Sequence, residues 1–301
     1  SKREPVIITG ANMGKCTSLW TPEYLKSKCG EKLVSVHASN TKHMSFVTRN
    51  FTFKNMPFGE LLDKIYATPN AETQLNNNQE STNNAPERYY LRSIGVNPRK
   101  DVSDIWESFP EISSDFEVPS WIPMAHSQHP NYFSSAFRIS SNDLQLWTHY
   151  DIMDNILCEI TGAKRCVLYP PSDVDKLYVN GSSSLVVDID SPDLNQFPKY
   201  AQAHPIEFIL NAGEILFIPA LWFHNMLALE PCIAVNLFWK HLDDDFYEKK
   251  DLYGNKDLIP ASKAVKDVES AIQNLQQVPE YYREFYARRM LQAIKDSVGM
   301  N

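Results

Sequence analysis

Between Ser134 and Lys240 the chain passes through eight short strand-like segments with no helical interlude, and this succession limits its fold more than any other feature. SSAFRISS, LQLWTHYD, ILCEITG, KRCVLYPP, SLVVDID, HPIEFILNAG, EILFIPALWFHN and CIAVNLFWK follow one another, separated by turn signals such as SSND, TGA, PPSD, NGSSS and NAGE. Strands this short and this closely spaced pair antiparallel around a shared core, as a sandwich or a barrel.

The flanks read differently. EPVIITG is a short apolar run closed by Gly10, and LVSVHAS alternates, with Leu33, Ser35 and His37 on one face. PFGELLDKIYA places Leu61, Leu62, Ile65 and Tyr66 at helical spacing. Residues 70–87 are asparagine-rich and nearly free of aliphatics, so a flexible surface loop is expected. Beyond residue 243 two amphipathic helices are expected. The first carries Ala264, Val265, Val268, Ala271, Ile272 and Leu275 on one face, and the second Tyr282, Phe285, Tyr286, Met290 and Ile294. The domain plan is therefore N-terminal α/β elements over 1–133, a β core over 134–243, and a helical extension over 244–301. The extension's stripes must be covered by the domain or by a second copy of the chain.

Five cysteines, without a CxxC pair, argue against a disulfide framework or a structural zinc site. Cys158, Cys166 and Cys232 read as small core residues. No apolar run approaches the ~20 residues of a membrane helix, and the first residues lack the apolar core of a secretory signal, so a soluble intracellular protein is expected. The net charge of −8 disfavours non-specific attraction to nucleic acid, which depends on lysine and arginine displacing counterions.

Within the strand-rich region, Trp147-Thr148-His149-Tyr150-Asp151 sets an imidazole and a carboxylate two residues apart, on one face of a strand. HxD is by itself a common chance pattern. His224, several strand-like runs later in LFIPALWFHN, supplies a third ligand. Two histidines and one carboxylate form the facial triad of non-haem iron(II) oxygenases, which leaves positions open for co-substrate and dioxygen. His126 and His129 form HxxH in a proline-rich loop, not on the helix a zinc protease needs, and His37, His43, His204 and His241 lack a carboxylate at strand spacing. An acidic co-substrate also needs a cation. Lys164, after the Thr161-Gly162 turn, reaches the metal-bearing strand if ILCEITG and KRCVLYPP form a hairpin; otherwise it is a solvated turn lysine.

These motifs, LQLWTHYD, NILCEITGAKRCVLYPP and LFIPALWFHN, resemble the JmjC oxygenases, and the likeness is greatest to the tRNA wybutosine hydroxylases of that superfamily. It extends to YYLRS at 89–93, NPRKDV at 97–102, FRISS at 137–141, WKHL and YGNKD within 239–257, and YYREFYARRM at 281–290. The resemblance implies a mainly β fold with α elements, built on a double-stranded β-helix (a cupin/JmjC jelly roll) with a C-terminal helical extension used for homodimerisation. It implies iron(II) on His149, Asp151 and His224, with 2-oxoglutarate held by Tyr90, Asn155 and Lys164. It also implies dioxygen as oxidant and hydroxylation of the side chain of a wybutosine-type guanosine at position 37, in the anticodon loop of phenylalanine tRNA.

The acidic balance sits awkwardly with tRNA; Arg99, Lys100, Arg138, Arg165, Lys240, Arg288 and Arg289 are the candidate compensating cations, and Trp147, Tyr150 and Trp222 the aromatics able to stack on a base. By alternation Tyr150 points away from His149 and belongs with the core. A JmjC protein hydroxylase or histone demethylase would share every one of these site residues. A non-catalytic metal-binding cupin would need only the triad.

Overall fold

The computed structural model describes residues 3–67 and 86–299, so most of the expected loop at 70–87 lies outside the described residues. The chain divides into two compact units, one formed by Ser1–Leu242 with Lys250–Lys256, the other by Asp243–Lys249 with Asp257–Asn301.

In the first unit an eight-stranded sheet runs, in spatial order, through β1 (Val6–Ile8), β13 (Ile215–Ile218), β8 (Asp154–Thr161), β15 (Cys232–Trp239), β6 (Tyr132–Ser140), β5 (Arg88–Arg92), β2 (Leu33–Ser39) and β4 (Thr52–Pro57). The second sheet runs through β10 (Val179–Asn180), β11 (Ser183–Ser184), β7 (Gln145–His149), β14 (Phe223–Ala228), β9 (Ala163–Tyr169) and β12 (Ile206–Asn211). A seventh strand, β3 (His43–Met44), pairs parallel to β7, and every other pairing is antiparallel. From β6 to β9 the chain alternates between the sheets, and from β12 to β15 it alternates again. The result is the interleaved two-sheet winding of a jelly roll.

Side-chain alternation gives the first sheet two apolar faces. Phe137 and Ile139 of β6, with Ile156, Cys158 and Ile160 of β8, pack outward against the N-terminal elements. These include Leu25 and Cys29 from the helix Pro22–Cys29, and Phe58, Leu61, Leu62 and Ile65 from the helix Phe58–Tyr66. The other face of β8 carries Asn155, Leu157 and Glu159 into the space between the sheets, where Leu157 meets Cys166, Leu168, Leu216 and Met226. All eight residues of β15 are buried, as expected for a strand covered on both sides. All five cysteines are buried and free.

Three local readings need correction. SLVVDID contributes only the end of the two-residue β11, because Asp188 and Asp190 are used in local hydrogen bonds and an ion pair. EILFIPALWFHN is two strands, β13 and β14, parted by a turn at 219–222 in which Leu221 adopts φ +71°. ILCEITG and KRCVLYPP do not form a hairpin: β8 pairs with β13 and β15, whereas β9 pairs with β12 and β14, so Gly162 (φ +82°) carries the chain from one sheet to the other.

The second unit contains the helices Ile259–Leu275 and Glu280–Val298, the latter ended by Gly299 in the left-handed conformation. No residue of either helix is buried; Val268, Ile272, Phe285 and Tyr286 remain exposed along the stripes read from the sequence.

Candidate metal centre

His149 closes β7 and His224 is the second residue of β14; the two are direct cross-strand partners, with ring centroids 4.3 Å apart. Asp151 lies two residues past the end of β7, so it reaches the site from a loop and not from the continued strand. The peptide N–H of Leu221 donates to the Asp151 carbonyl (2.8 Å), and that of Ala220 to the Asp154 carboxylate (2.9 Å). These two bonds tie the β13–β14 turn to the Asp151 loop. Asp151 Oδ2 stands 3.7 Å from His224 Nε2, and one ligand atom from each of the three residues lies within 4.8 Å of the others. Among the described residues no other group of three histidine, cysteine or acidic side chains is so arranged.

The imidazoles are set up as ligands. His149 Nδ1–H donates to the Trp147 carbonyl (2.9 Å) and His224 Nδ1–H to the Trp222 carbonyl (3.1 Å), so in both rings the Nε2 lone pair is left for a metal. Burial, reinforced by the neighbouring His224, pushes the His149 pKa down to about 4; burial lowers His224 as well. Both rings are therefore neutral, the form that binds a cation.

The triad opens into a pocket with one apolar wall, from Leu144, Leu146, Leu157, Ile218 and Met226, and one polar side. Tyr90, Arg138, Ser140, Lys164 and Asn236 make up the polar side. The Tyr90 hydroxyl accepts a hydrogen bond from Arg138. Lys164 lies beside Ala228 of β14, which is how it reaches the site without a hairpin, and its ammonium meets both carboxylate oxygens of Glu159 at 2.5 and 2.6 Å. Glu159 is wholly buried and Lys164 is 7% exposed. Burial pushes the Glu159 carboxyl up against the pull of Lys164; burial also opposes the Lys164 charge, but Glu159 outweighs it and raises the ammonium. Asn155 accepts from the Asn236 amide (3.1 Å), while its own amide nitrogen is buried without a partner. A lysine ammonium and a tyrosine hydroxyl lining one pocket suit a carboxylate-bearing small molecule.

Of the residues singled out from sequence, the structure thus gathers His149, Asp151, His224, Tyr90 and Lys164 around one pocket, with Asn155 bonded to its lining residue Asn236. Trp147 faces the same way as His149, with rings 4.9 Å apart, and Phe46 packs on it at 4.3 Å. Tyr150 packs on Phe223 away from the triad. Trp222 is a correction: it is buried in the inter-sheet core and its indole N–H donates to the Arg3 carbonyl, so it offers no stacking face. Arg165 is committed to Glu207 and Asp190, and Arg288 to Glu284. Sequence reading missed Glu159 and Arg92. Glu159 is the buried partner of the pocket-lining Lys164, and Arg92 is the cross-strand partner of the pocket-lining Arg138.

Residues 1–245 match the family described as the cupin-like domain. Over 300 residues, all of this chain and 90% of the relative, the chain is 42% identical to tRNA wybutosine-synthesizing protein 5 of Gallus gallus. It is 43% identical over 295 residues to the Homo sapiens protein of that name, covering 98% of this chain and 90% of the relative. It is also 36% identical over 296 residues to tRNA wybutosine-synthesizing protein 4 of Aspergillus oryzae, covering 97% of this chain but 26% of that longer protein.

Proposed function

The chain belongs to the cupin-like domain family and, along its whole length, to the relatives of tRNA wybutosine-synthesizing protein 5; from that premise we propose that it is an iron(II)- and 2-oxoglutarate-dependent dioxygenase of wybutosine biosynthesis. Its substrate on this reading is the side chain of the wybutosine-type guanosine at position 37 of phenylalanine tRNA. The observation that carries the proposal is the meeting of His149, Asp151 and His224, with both Nε2 atoms free and neutral, in a pocket that Lys164 and Tyr90 also line.

In this reading His149, Asp151 and His224 hold the iron, and Tyr90, Asn155 and Lys164 hold 2-oxoglutarate. The oxidising chemistry belongs to the iron, the keto acid and dioxygen. The chain's own part is geometric. The carbonyls of Trp147 and Trp222 fix the imidazoles, and the β13–β14 turn holds the Asp151 loop against them. The apolar wall keeps water from the reacting carbon. Trp147 with Phe46, the latter 41% exposed, offers a plane for a flat base beside the triad. Residues 134–243 are the catalytic core on this account, and the exposed stripes of 244–301 join two copies into a homodimer. Among the described residues no helix is long and apolar enough to cross a membrane.

Two measurements test the proposal. Asp151→Ala is expected to abolish both iron binding and 2-oxoglutarate turnover; iron-dependent succinate release persisting in that variant refutes the ligand set. Wild-type protein is expected to release succinate in response to bulk tRNA and not to histone or peptide pools, with a mass gain of one oxygen on the modified nucleoside of phenylalanine tRNA. Stimulation by peptides alone would make it a protein hydroxylase, and failure to bind 2-oxoglutarate with iron present would leave a metal-binding cupin.

A further inference from the structure

The aromatic plane beside the triad does not end at Phe46. Phe51 packs on Phe46 with ring centroids 4.7 Å apart, and Phe53 packs on Phe51 at 5.7 Å. His37 packs with Phe46, Phe51 and Phe53 at 5.7, 5.0 and 4.6 Å, and with Tyr90 at 5.5 Å. Sheet register accounts for the array. Phe53 of β4 opposes His37 of β2, and His37 opposes Tyr90 of β5, which lines the pocket. One row of rings thus crosses the sheet face from the triad pocket to the edge strand β4. Burial lowers the His37 pKa to about 4, so the ring at the centre of the row is uncharged. At the far end Phe53 is 64% exposed, a place where a phenyl ring adds little to the core. Two residues further along these strands, and by alternation on the same face, stand the cross-strand partners Ser35 and Asn55. They open with Leu33, Arg92, Gly95 and Val96 into a groove, and among the described residues neither side chain has a hydrogen-bond partner. The local chain is also free of acids: residues 32–59 hold Lys32, Lys42, Arg49 and Lys54 but no aspartate or glutamate, in a protein of net charge −8. Lys32, Lys42 and Lys54 meet acids brought from other segments, whereas Arg49, exposed between Phe46 and Phe51, forms no ion pair among the described residues.

We propose that this open face of β2 and β4, headed by Phe53, is a stacking site for a second nucleobase: a neighbour, in the anticodon loop, of the base whose side chain reaches the triad. This rests on the tRNA hydroxylase reading above and adds to it the contact that holds the strand beside the reacting base. Single-stranded RNA is held by rings that take base faces and by polar groups that meet base edges. Phe53 supplies the first, and Ser35 with Asn55 the second. Arg49 supplies a cation for the phosphates that link the bases. A peptide added to the β4 edge would use main-chain hydrogen bonds and leave the rings of the face unused. Ring contacts run unbroken from His149 through Trp147, Phe46 and Phe51 to Phe53, all within one compact unit, so the two base positions share one surface. Stacking tolerates any base, so the site registers that a flat neighbour is present and not which one it is.

The test is equilibrium binding of the full-length protein to the anticodon stem-loop of phenylalanine tRNA, without 2-oxoglutarate so that nothing turns over. Each loop nucleotide flanking position 37 is replaced in turn by an abasic one. For wild type, one such replacement is expected to weaken binding by about tenfold. Phe53→Leu keeps an apolar side chain but no ring, and is expected to bind the intact stem-loop about tenfold more weakly. In that variant the same abasic replacement should cost less than about twofold, since ring and base act as one pair, while other positions cost what they cost wild type. Phe53→Trp should restore both the affinity and the abasic penalty. Equal abasic costs in wild type and Phe53→Leu at every position overturn the proposal. So does a Phe53→Leu protein that binds the stem-loop as wild type does, which would leave the face to a protein partner. A second measurement uses no variant: 5-iodouridine at the sensitive position, irradiated on wild type, is expected to crosslink to Phe53, and adducts confined to other residues overturn the proposal. Wild type that binds no stem-loop fails the tRNA reading and this site together. Stem-loop binding indifferent to Phe53 fails this site alone, and Phe53-dependent binding without succinate release fails the hydroxylase reading alone.

Discussion

Replacing Lys164 with Met keeps the aliphatic stem but removes the only cation that, among the described residues, is bonded to the wholly buried Glu159. A carboxylate left there does not stay ionised; it takes a proton. The cost at neutral pH is set by the gap between pH 7 and the ordinary value of 4.5, at ~1.36 kcal/mol for each unit. That gives a loss of about 3 kcal/mol, within the range found when one member of a buried pair is removed. For a unit of this size the melting temperature should fall by roughly 6–12 °C. The sign of the pH dependence follows. In the variant the folded-state pKa of Glu159 lies above its unfolded value, so the deficit is small near pH 4.5 and grows as pH rises, until the folded-state value is passed. Denaturant unfolding of both proteins at pH 5 and pH 8 reads this directly: under about 1 kcal/mol at the lower pH and at least about 3 at the higher. Adding Glu159→Leu should restore most of the stability, since no charge is left stranded, yet 2-oxoglutarate binding should stay lost. A deficit that is the same at both pH values, or a double variant no more stable than the single, would refute the reasoning.

Gly162→Ala should destabilise the β unit by about 3 kcal/mol, because φ is +82° and the added Cβ would stand 2.5 Å from the Pro231 carbonyl oxygen and 2.8 Å from Cys232 Sγ; urea unfolding measures it. Val268→Asp combined with Ile272→Asp charges an exposed stripe on the helix Ile259–Leu275. On the homodimer reading proposed above, sedimentation equilibrium should report dimer for the unaltered chain and monomer for the variant, with helix content unchanged by circular dichroism.

Much of this was legible from residue order, and the failures share a cause. Alternation and turn chemistry are local, so the strands of the jelly roll, the helices and the His149–Asp151 pair could be read from neighbours in sequence. What could not be read is which segment lies beside which. The hairpin on which Lys164's reach was conditioned, between ILCEITG and KRCVLYPP, is instead a passage between sheets, because a glycine turn looks the same whether the next strand pairs with the last or crosses to the other layer. Trp222 looked available to a base because a tryptophan two residues from a ligand gives no sign of its partner, which turned out to be the carbonyl of Arg3. Glu159 and Arg92 were visible as charges but not as neighbours of Lys164 and Arg138. Their meaning lies in pairing across strands, which no single segment records.

His149 is oriented by the carbonyl of Trp147 in its own strand, whereas His224, through the Trp222 carbonyl, and Asp151, through the Leu221 N–H, both depend on the turn between β13 and β14. Loosening of that turn would therefore disturb the oxygen donor and the His224 imidazole together, while His149 stays aimed. Two of the three ligands that would hold a metal thus depend on hydrogen bonds made by residues 221 and 222, which are not ligands themselves.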